Sequence, residues 1–367
     1  MKKLIAVTAA VASALIQVPA RAQDLDSILN NIDFSFGGYG TIGVVRTNTD
    51  AAQFIRGVES SGATESVREN VDSNLGVQAT ARFNSWLAVT AQVLEGSNEL
   101  TGLVPWAYVK LDPTDSLSFK LGRVKMPLFA VSDSLDVGYA NVWLRPPNEV
   151  YSLGSMEELN GGEGTYTLPI GTTHLSLTGY VGSSQVFTQT LGDPHARDVH
   201  GGEVRWETEW VTLRAGLTKT TVDTHPHDKY TFQGFGVLVD HDNVIAQAEF
   251  VKRYAQNSPF FVNSTGWYVL GGYRFDKVAP YVSYATTTKS KPFFPDAVLS
   301  ADQDTTAIGV RWDAFKSADL KFQFERVDPR GTTGISFVQP APSFRNAAPS
   351  FSNSVVNAAS LTLDLIF

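Results

Sequence analysis

Residues Ala358 to Phe367 read Ala-Ala-Ser-Leu-Thr-Leu-Asp-Leu-Ile-Phe and close the chain. Leu361, Leu363, Leu365 and Phe367 fall at alternate positions, with Thr362 and Asp364 between them, the period-two pattern of a strand with one apolar and one polar face. A terminal strand of this kind needs a partner on both edges, and the first strand is the available one. The expectation is a closed barrel. On this stretch alone the alternative is the edge strand of a soluble sandwich that happens to end in Phe.

At the other end, Met1-Lys2-Lys3 precedes an apolar run from Leu4 to Val18, followed by Ala20-Arg21-Ala22 with small residues where signal peptidase needs them. Residues 1–22 therefore read as a cleaved secretory signal peptide, with Gln23 as the expected mature N-terminus. No other stretch approaches the roughly 18–20 consecutive apolar residues of a transmembrane helix. Removing Lys2, Lys3 and Arg21 takes the formal charge from −8 to −11, which argues against a nucleic-acid partner. The chain has no cysteine, so an exported protein of this size must hold itself by packing or by a closed hydrogen-bond ladder.

Residues 23–34 carry Leu25, Ile28, Leu29 and Ile32 at helical spacing and read as a short periplasmic lead-in. From Ser35 to Phe367 the pattern is a series of strand-length segments, sixteen in all: 35–45, 72–83, 85–95, 103–112, 116–123, 161–170, 172–182, 199–209, 210–219, 230–239, 243–254, 264–275, 278–286, 304–313, 318–328 and 358–367. Their connections alternate between very short and long. Phe83-Asn84-Ser85-Trp86, Pro169-Ile170-Gly171-Thr172 and Asp240-His241-Asp242-Asn243 are tight turns, whereas 46–71, 124–160, 287–303 and 329–357 are long. Tight turns at one end and long loops at the other is the arrangement of an outer-membrane barrel, and a soluble sandwich has no reason to sort its loops this way. Parity agrees: Leu75, Val77, Ala79 and Ala81 alternate with Asn74, Gln78, Thr80 and Arg82, and Leu320, Phe322 and Phe324 alternate with Lys321, Gln323 and Glu325. Trp86, Trp206, Trp267, Phe275 and Trp312 sit at strand ends on the apolar parity, where an interfacial girdle belongs.

A terminal strand ending in Phe, behind an exported N-terminus, resembles the signal by which Gram-negative outer-membrane barrels are recognised by their assembly machinery. The opening Phe36-Gly37-Gly38-Tyr39-Gly40-Thr41-Ile42-Gly43, the segment Leu121-Gly122-Arg123-Val124-Lys125-Met126-Pro127 and the segment Arg145-Pro146-Pro147-Asn148-Glu149-Val150-Tyr151 resemble the proteobacterial porin superfamily, toward its branch of phosphate-selective and dicarboxylate-type porins. The resemblance covers essentially the whole mature chain. It implies an all-β transmembrane antiparallel barrel of about sixteen strands, assembled as a homotrimer, with a long third loop folded into the lumen. The chain lacks the N-terminal coiled coil of some relatives and the Pro-Glu-Phe-Gly-Gly loop signature of enteric general porins, which leaves the solute class open.

A barrel of this width leaves a water-filled channel that something must narrow. The expected constriction is the loop 124–160, unusually apolar for a surface loop through Leu128, Phe129, Val131, Leu135, Val137, Tyr139, Val142, Trp143 and Leu144. The alternatives are a cap over the mouth or a trimer contact. Arg145-Pro146-Pro147 stiffens its return limb. Its carboxylates Asp133, Asp136, Glu149, Glu157 and Glu158 are expected to face Arg82, Lys110, Lys120 and Arg123, setting a transverse field at the narrowest point, with Arg145 at the same level. Farther around, Arg205, Arg214, Arg253, Arg274, Arg311 and Lys321 point inward by parity, partly offset by Glu203, Glu207, Glu249, Glu325 and Asp364. The expected function is passive diffusion of small hydrophilic solutes or ions across the outer membrane, with its lipids and the assembly machinery as further partners. No cofactor is called for. The six histidines are scattered, and His225-Pro226-His227-Asp228 makes at most a weak metal site. An outer-membrane enzyme or a pore-less adhesive barrel is the alternative.

Overall fold

The computed structural model describes residues 32–57, 61–96, 103–186, 194–223, 228–256, 263–289, 302–330, 334–338 and 354–367. The signal peptide, the lead-in up to residue 31, and His225 and His227 lie outside the described residues. The strands are β1 Asp33–Thr47, β2 Gln53–Phe54, β3 Asn74–Arg82, β4 Leu87–Gly96, β5 Trp106–Thr114, β6 Leu117–Lys125, β7 Glu158–Ile170, β8 Thr173–Gln185, β9 His195–Glu207, β10 Val211–Val222, β11 Asp228–His241, β12 Val244–Gln256, β13 Ser264–Tyr273, β14 Val278–Lys289, β15 Gln303–Phe315, β16 Ala318–Asp328, β17 Phe337–Val338 and β18 Val356–Ile366. All but β2 and β17 join in one closed barrel of sixteen strands, in which β1 pairs antiparallel with both β3 and β18. Each strand expected from the sequence is present, most of them longer by two or three residues at the long-loop end. The first strand begins at Asp33, inside the span read as lead-in, and the third long loop is trimmed from 124–160 to 126–157 because Val124, Lys125 and Glu158–Asn160 continue the ladder.

Closure rests on the chain terminus. The Gly38 N–H donates to the Phe367 carbonyl at 2.9 Å, the Phe367 N–H donates back to Gly38 at 3.0 Å, and the ring lies where a Cβ on Gly38 would stand. At the short-turn end, Gly171, Asp242 and Asp276 take positive φ, the left-handed conformation that Gly and Asp tolerate and a tight hairpin requires. No helix among the described residues is long and apolar enough to cross a membrane.

Period two sorts the side chains as read. Leu75, Val77, Phe322, Phe324 and Leu361 are exposed on the outside, with Trp86, Trp206, Trp267, Phe275 and Trp312 around them, while Lys321, Gln323, Ser360, Thr362 and Asp364 are buried inside. A separate apolar cluster closes part of the long-loop mouth. Here β2 pairs with β17, the Phe54 and Phe337 rings meet edge-on at 5.8 Å, and Val45, Val71, Val327 and Val356 pack around them.

Candidate functional site: the lumen and its inner loop

Residues 126–157 leave β6 and turn into the barrel because the end of β6 is pinned. Lys125, almost fully buried, donates to Asp136 at 2.5 Å and to Glu157 at 3.1 Å, so one ammonium ties the outgoing limb, the loop body and the returning limb together. Arg56 of the first long loop adds a contact to Asp136 at 3.9 Å. From there the loop crosses to the wall made by β9–β18 and is held there by its own backbone. The Leu128 carbonyl accepts from Arg214 at 2.7 Å, the Ala130 carbonyl from Arg205 at 3.0 Å, and the Ala130 N–H donates to Glu249 at 2.7 Å. At the tip, Lys321 donates to the Gly138 carbonyl at 2.6 Å, and Arg311 donates to the carbonyls of Tyr139 and Asn141 at 2.7 and 2.9 Å. On the return limb the Leu144 N–H donates to Tyr281 at 3.0 Å. A single helical turn, Asn148–Tyr151, then seats Asn148 on the Ile55 carbonyl and Ser336, both at 2.9 Å. These are polar tethers for a strand-less segment whose backbone groups would otherwise be buried unpaired.

The apolar residues of the loop find an apolar partner that the sequence reading missed. Tyr180, Tyr230, Phe232, Tyr268 and Tyr281 point into the lumen from β8, β11, β13 and β14, and Phe129, Trp143, Tyr151 and Leu153 pack on them. Phe129 meets Phe232 edge-on at 5.5 Å and Trp143 meets Tyr268 edge-on at 5.8 Å. The signal was present: aromatic residues on the polar parity, opposite a loop rich in the same type.

The loop thus covers one side of the lumen and leaves the other uncovered. Inward residues beneath it, including Arg214, Thr218, Glu249, Gln303, Lys321, Gln323 and Thr362, are buried. Inward residues of β3–β8, including Gln78, Thr80, Tyr108, Lys110, Lys120, Thr165, Thr167, Ser176 and Thr178, are half-exposed. Their hydroxyls pair across strands, Thr165 with Thr178 at 2.9 Å and Thr167 with Ser176 at 3.1 Å, giving a hydroxylated wall with cations set into it.

The residues expected at the constriction divide along this line. Lys110 pairs with Asp112 at 2.9 Å, Lys120 with Glu163 at 2.9 Å and Arg123 with Glu158 at 3.2 Å, each partner standing on a strand and not in the body of the loop. Arg82 is exposed at the short-turn end of β3 and has no ion pair among the described residues. Asp133 is exposed, and its charge acts on Tyr108 and Lys120; of the loop carboxylates it is the one brought to the uncovered side. Asp136, Arg145 and Glu149, expected beside the opening, are buried beneath the loop. Arg145 holds Asp72 in a two-pronged contact at 2.6 and 3.0 Å, reaches Ser360 at 2.5 Å, pairs with Glu325, and lies 4.9 Å over the Phe54 ring. Glu149 accepts from Gln303 at 2.6 Å and from Thr305. Sequence parity assigns strand side chains to a face, but it has no rule for a loop that crosses the lumen.

Two of the buried loop carboxyls titrate in opposite senses. Burial pushes Glu149 above its ordinary 4.5, with hydrogen bonds from Thr305 and Gln303 offsetting only part of the effect. Burial would also raise Asp136, yet Lys125 and Arg56 outweigh it and hold the carboxyl below 3.8. A raised carboxyl contributes stability that is fully present below its unfolded value and is lost as pH rises through the folded one; a depressed carboxyl contributes stability present above its unfolded value and lost as pH falls. The loop is therefore held best between 3.8 and 4.5 and loosens on either side. Proteolytic nicking of the loop as a function of pH should show this minimum, and Glu149→Gln should flatten its alkaline limb. An unchanged profile in that variant would show that Glu149 does not set it.

No family model matches the chain, and no curated protein matches it in sequence. Solved structures do match. The outer membrane channel DcaP of Acinetobacter baumannii superposes with a TM-score of 0.59 at 10% identity, over 92% of this chain and 98% of that one. The anion-selective porin from Comamonas acidovorans gives 0.57 at 12% identity over 92% and 100%, and Salmonella typhi OmpF, in complex with daunomycin, 0.57 at 13% over 92% and 99%. The fold is the porin fold. At these identities the likeness shows the fold alone, sixteen antiparallel strands in a closed ring. Among the described residues of the barrel, no group of three or more His, Cys, Asp or Glu is placed to hold a metal ion.

Proposed function

We propose that this protein is a porin in function as well as fold: a channel for passive diffusion of small hydrophilic solutes and ions. The observation that carries the reading is the one-sided seating of the inner loop. It packs mainly on β9–β18 and leaves polar residues of β3–β8 such as Gln78, Thr80, Lys110, Lys120, Thr165 and Thr178 half-exposed along the strands. A loop serving only as a plug would bury both sides. Purified protein in a planar bilayer should conduct in saline with no energy source, and silence of well-folded barrels would favour the enzyme or adhesin alternative.

The constriction in this reading is bounded by Asp133 on the loop and by Arg82, Lys110 and Lys120 on the uncovered wall, with Arg123 at the loop root. The likeness to an anion-selective porin supports a modest preference for anions here, since Arg82 makes no contact ion pair among the described residues. A homotrimer is part of the proposal, tested by the mass of the detergent-solubilised protein. So is recognition of the strand ending at Phe367 by the barrel assembly machinery, after export and cleavage of residues 1–22.

A further inference from the structure

The lipid-facing side of the barrel carries a groove with a charged rim. A depression of about 770 Å³ crosses β6–β10, walled by Phe119, Leu121, Val181 and Leu217 and floored by Gly162, Gly164, Gly179 and Gly202. That volume lies within the roughly 300–1,000 Å³ of pockets that hold small ligands. Nothing stands within 4 Å of the place a Cβ on Gly179 would take, so the floor is bare. A second depression, of about 500 Å³, adjoins it at Gly202 and Leu217.

The long-loop end of the groove is lined by His200 and Lys219, which face each other in register on β9 and β10. Lys219 is also opposite Thr231 on β11, and Lys252 on β12 is opposite Gln233 one step below, so the two ammonium groups share one face. Lys229 extends the patch upward. All four side chains are exposed, and none of the three lysines has an ion-pair partner among the described residues. His200 lies with Nδ1 2.7 Å from the Asp198 carbonyl, which can only accept, so the ring donates there and the cations of this rim are the lysines. Directly below, the outward residues turn apolar at Val204, Leu217, Phe235 and Phe250. An outward lysine costs about 2–4 kcal/mol at the bilayer midplane and little near its edge, so this row marks the headgroup level of the leaflet on the long-loop side, the outer one.

Unpaired cations at the headgroup level, over an apolar groove that runs toward the membrane interior, complement one kind of molecule. We propose that this face binds a phosphorylated lipid of the outer leaflet, its phosphate on Lys219 and Lys252 and an acyl chain in the groove. Lysine serves as a point-charge partner for phosphate, and juxtamembrane cations bind anionic lipid in a salt-dependent manner.

The test uses bis-phosphorylated lipid A and the full barrel in detergent micelles, with retained lipid read by native mass spectrometry. Wild type should retain it. Lys219→Gln with Lys252→Gln should lower retention by about tenfold or more, from about fivefold for each cation removed. Gly179→Leu, which fills the groove, should lower it as well, and the double lysine variant keeps the test valid should that barrel fail to assemble. Equal retention by wild type and the lysine variant overturns the proposal, as does equal retention of uncharged diacylglycerol. The chain has no cysteine, so Val181→Cys reports what covers the groove. A disulfide-linked pair of chains through that position would show that a second copy sits there, and would also overturn it.

Discussion

Replacing Arg145 by alanine should release the inner loop from the far wall and destabilise the barrel by about 3–5 kcal/mol, the cost of removing one partner from a buried ionic network. The guanidinium is buried between Asp72 and Glu325, with Ser360 as a third acceptor and the Phe54 ring against its face. Burial alone would weaken its hold on the proton; the two carboxylates outweigh that and keep it charged. Without it, Asp72 and Glu325 are left as uncompensated buried charges, and the contact joining the return limb to β16, β18 and the first long loop is lost. The barrel should unfold at lower denaturant, the loop should be cut by protease, and single-channel traces should become noisy as the loop samples the lumen. Lysine at this position keeps the charge but not the two-pronged geometry, so Arg145→Lys should recover only part of the loss. Unchanged denaturation and unchanged traces in the alanine variant would show that the loop is held without it.

Neutralising Arg82 and Lys120 together should move the reversal potential toward cation preference, by some 10 mV of the roughly 59 mV that a perfectly selective pore reaches in a tenfold salt gradient. Charges farther than about 8 Å from the permeating ion are screened at physiological salt, so the uncovered wall decides selectivity. Lys120→Gln also frees the charge of Glu163, its partner at 2.9 Å, which works in the same direction. Neutralising Arg274 and Arg311 should move the potential less. Arg274 is paired with Asp240 at the short-turn end, and Arg311 lies under the loop, paired with Asp313 and Asp319 and clamped to the carbonyls of Tyr139 and Asn141. The Arg311 variant should instead loosen the tip and raise conductance. Excising 135–144 should raise conductance further and blunt the effect of Arg82 and Lys120, because the lumen widens around them. A stronger shift from the far pair, or a trimmed loop that conducts as before, would mean that the constriction lies elsewhere.

The barrel itself was legible in the sequence. Leu361, Thr362, Leu363, Asp364 and Leu365 announce a two-faced strand, Asp242 and Gly171 announce tight turns, and the run of such segments from Asp33 to Phe367 closes on itself through Gly38. This follows because strand faces depend on period two and hairpins on local φ, and both are properties of residues a few positions apart. The destination of the inner loop is of another kind. Its apolar content shows that it must be covered, but Arg145 meets Glu325 and Ser360, Lys321 meets Gly138, and Leu144 meets Tyr281 across separations of well over a hundred residues. No periodicity within the loop encodes those partners. Only the closed ring brings β16 and β18 opposite the loop, and only burial within the folded lumen separates Asp136, Arg145 and Glu149, which hold the loop, from Asp133, which is left facing water.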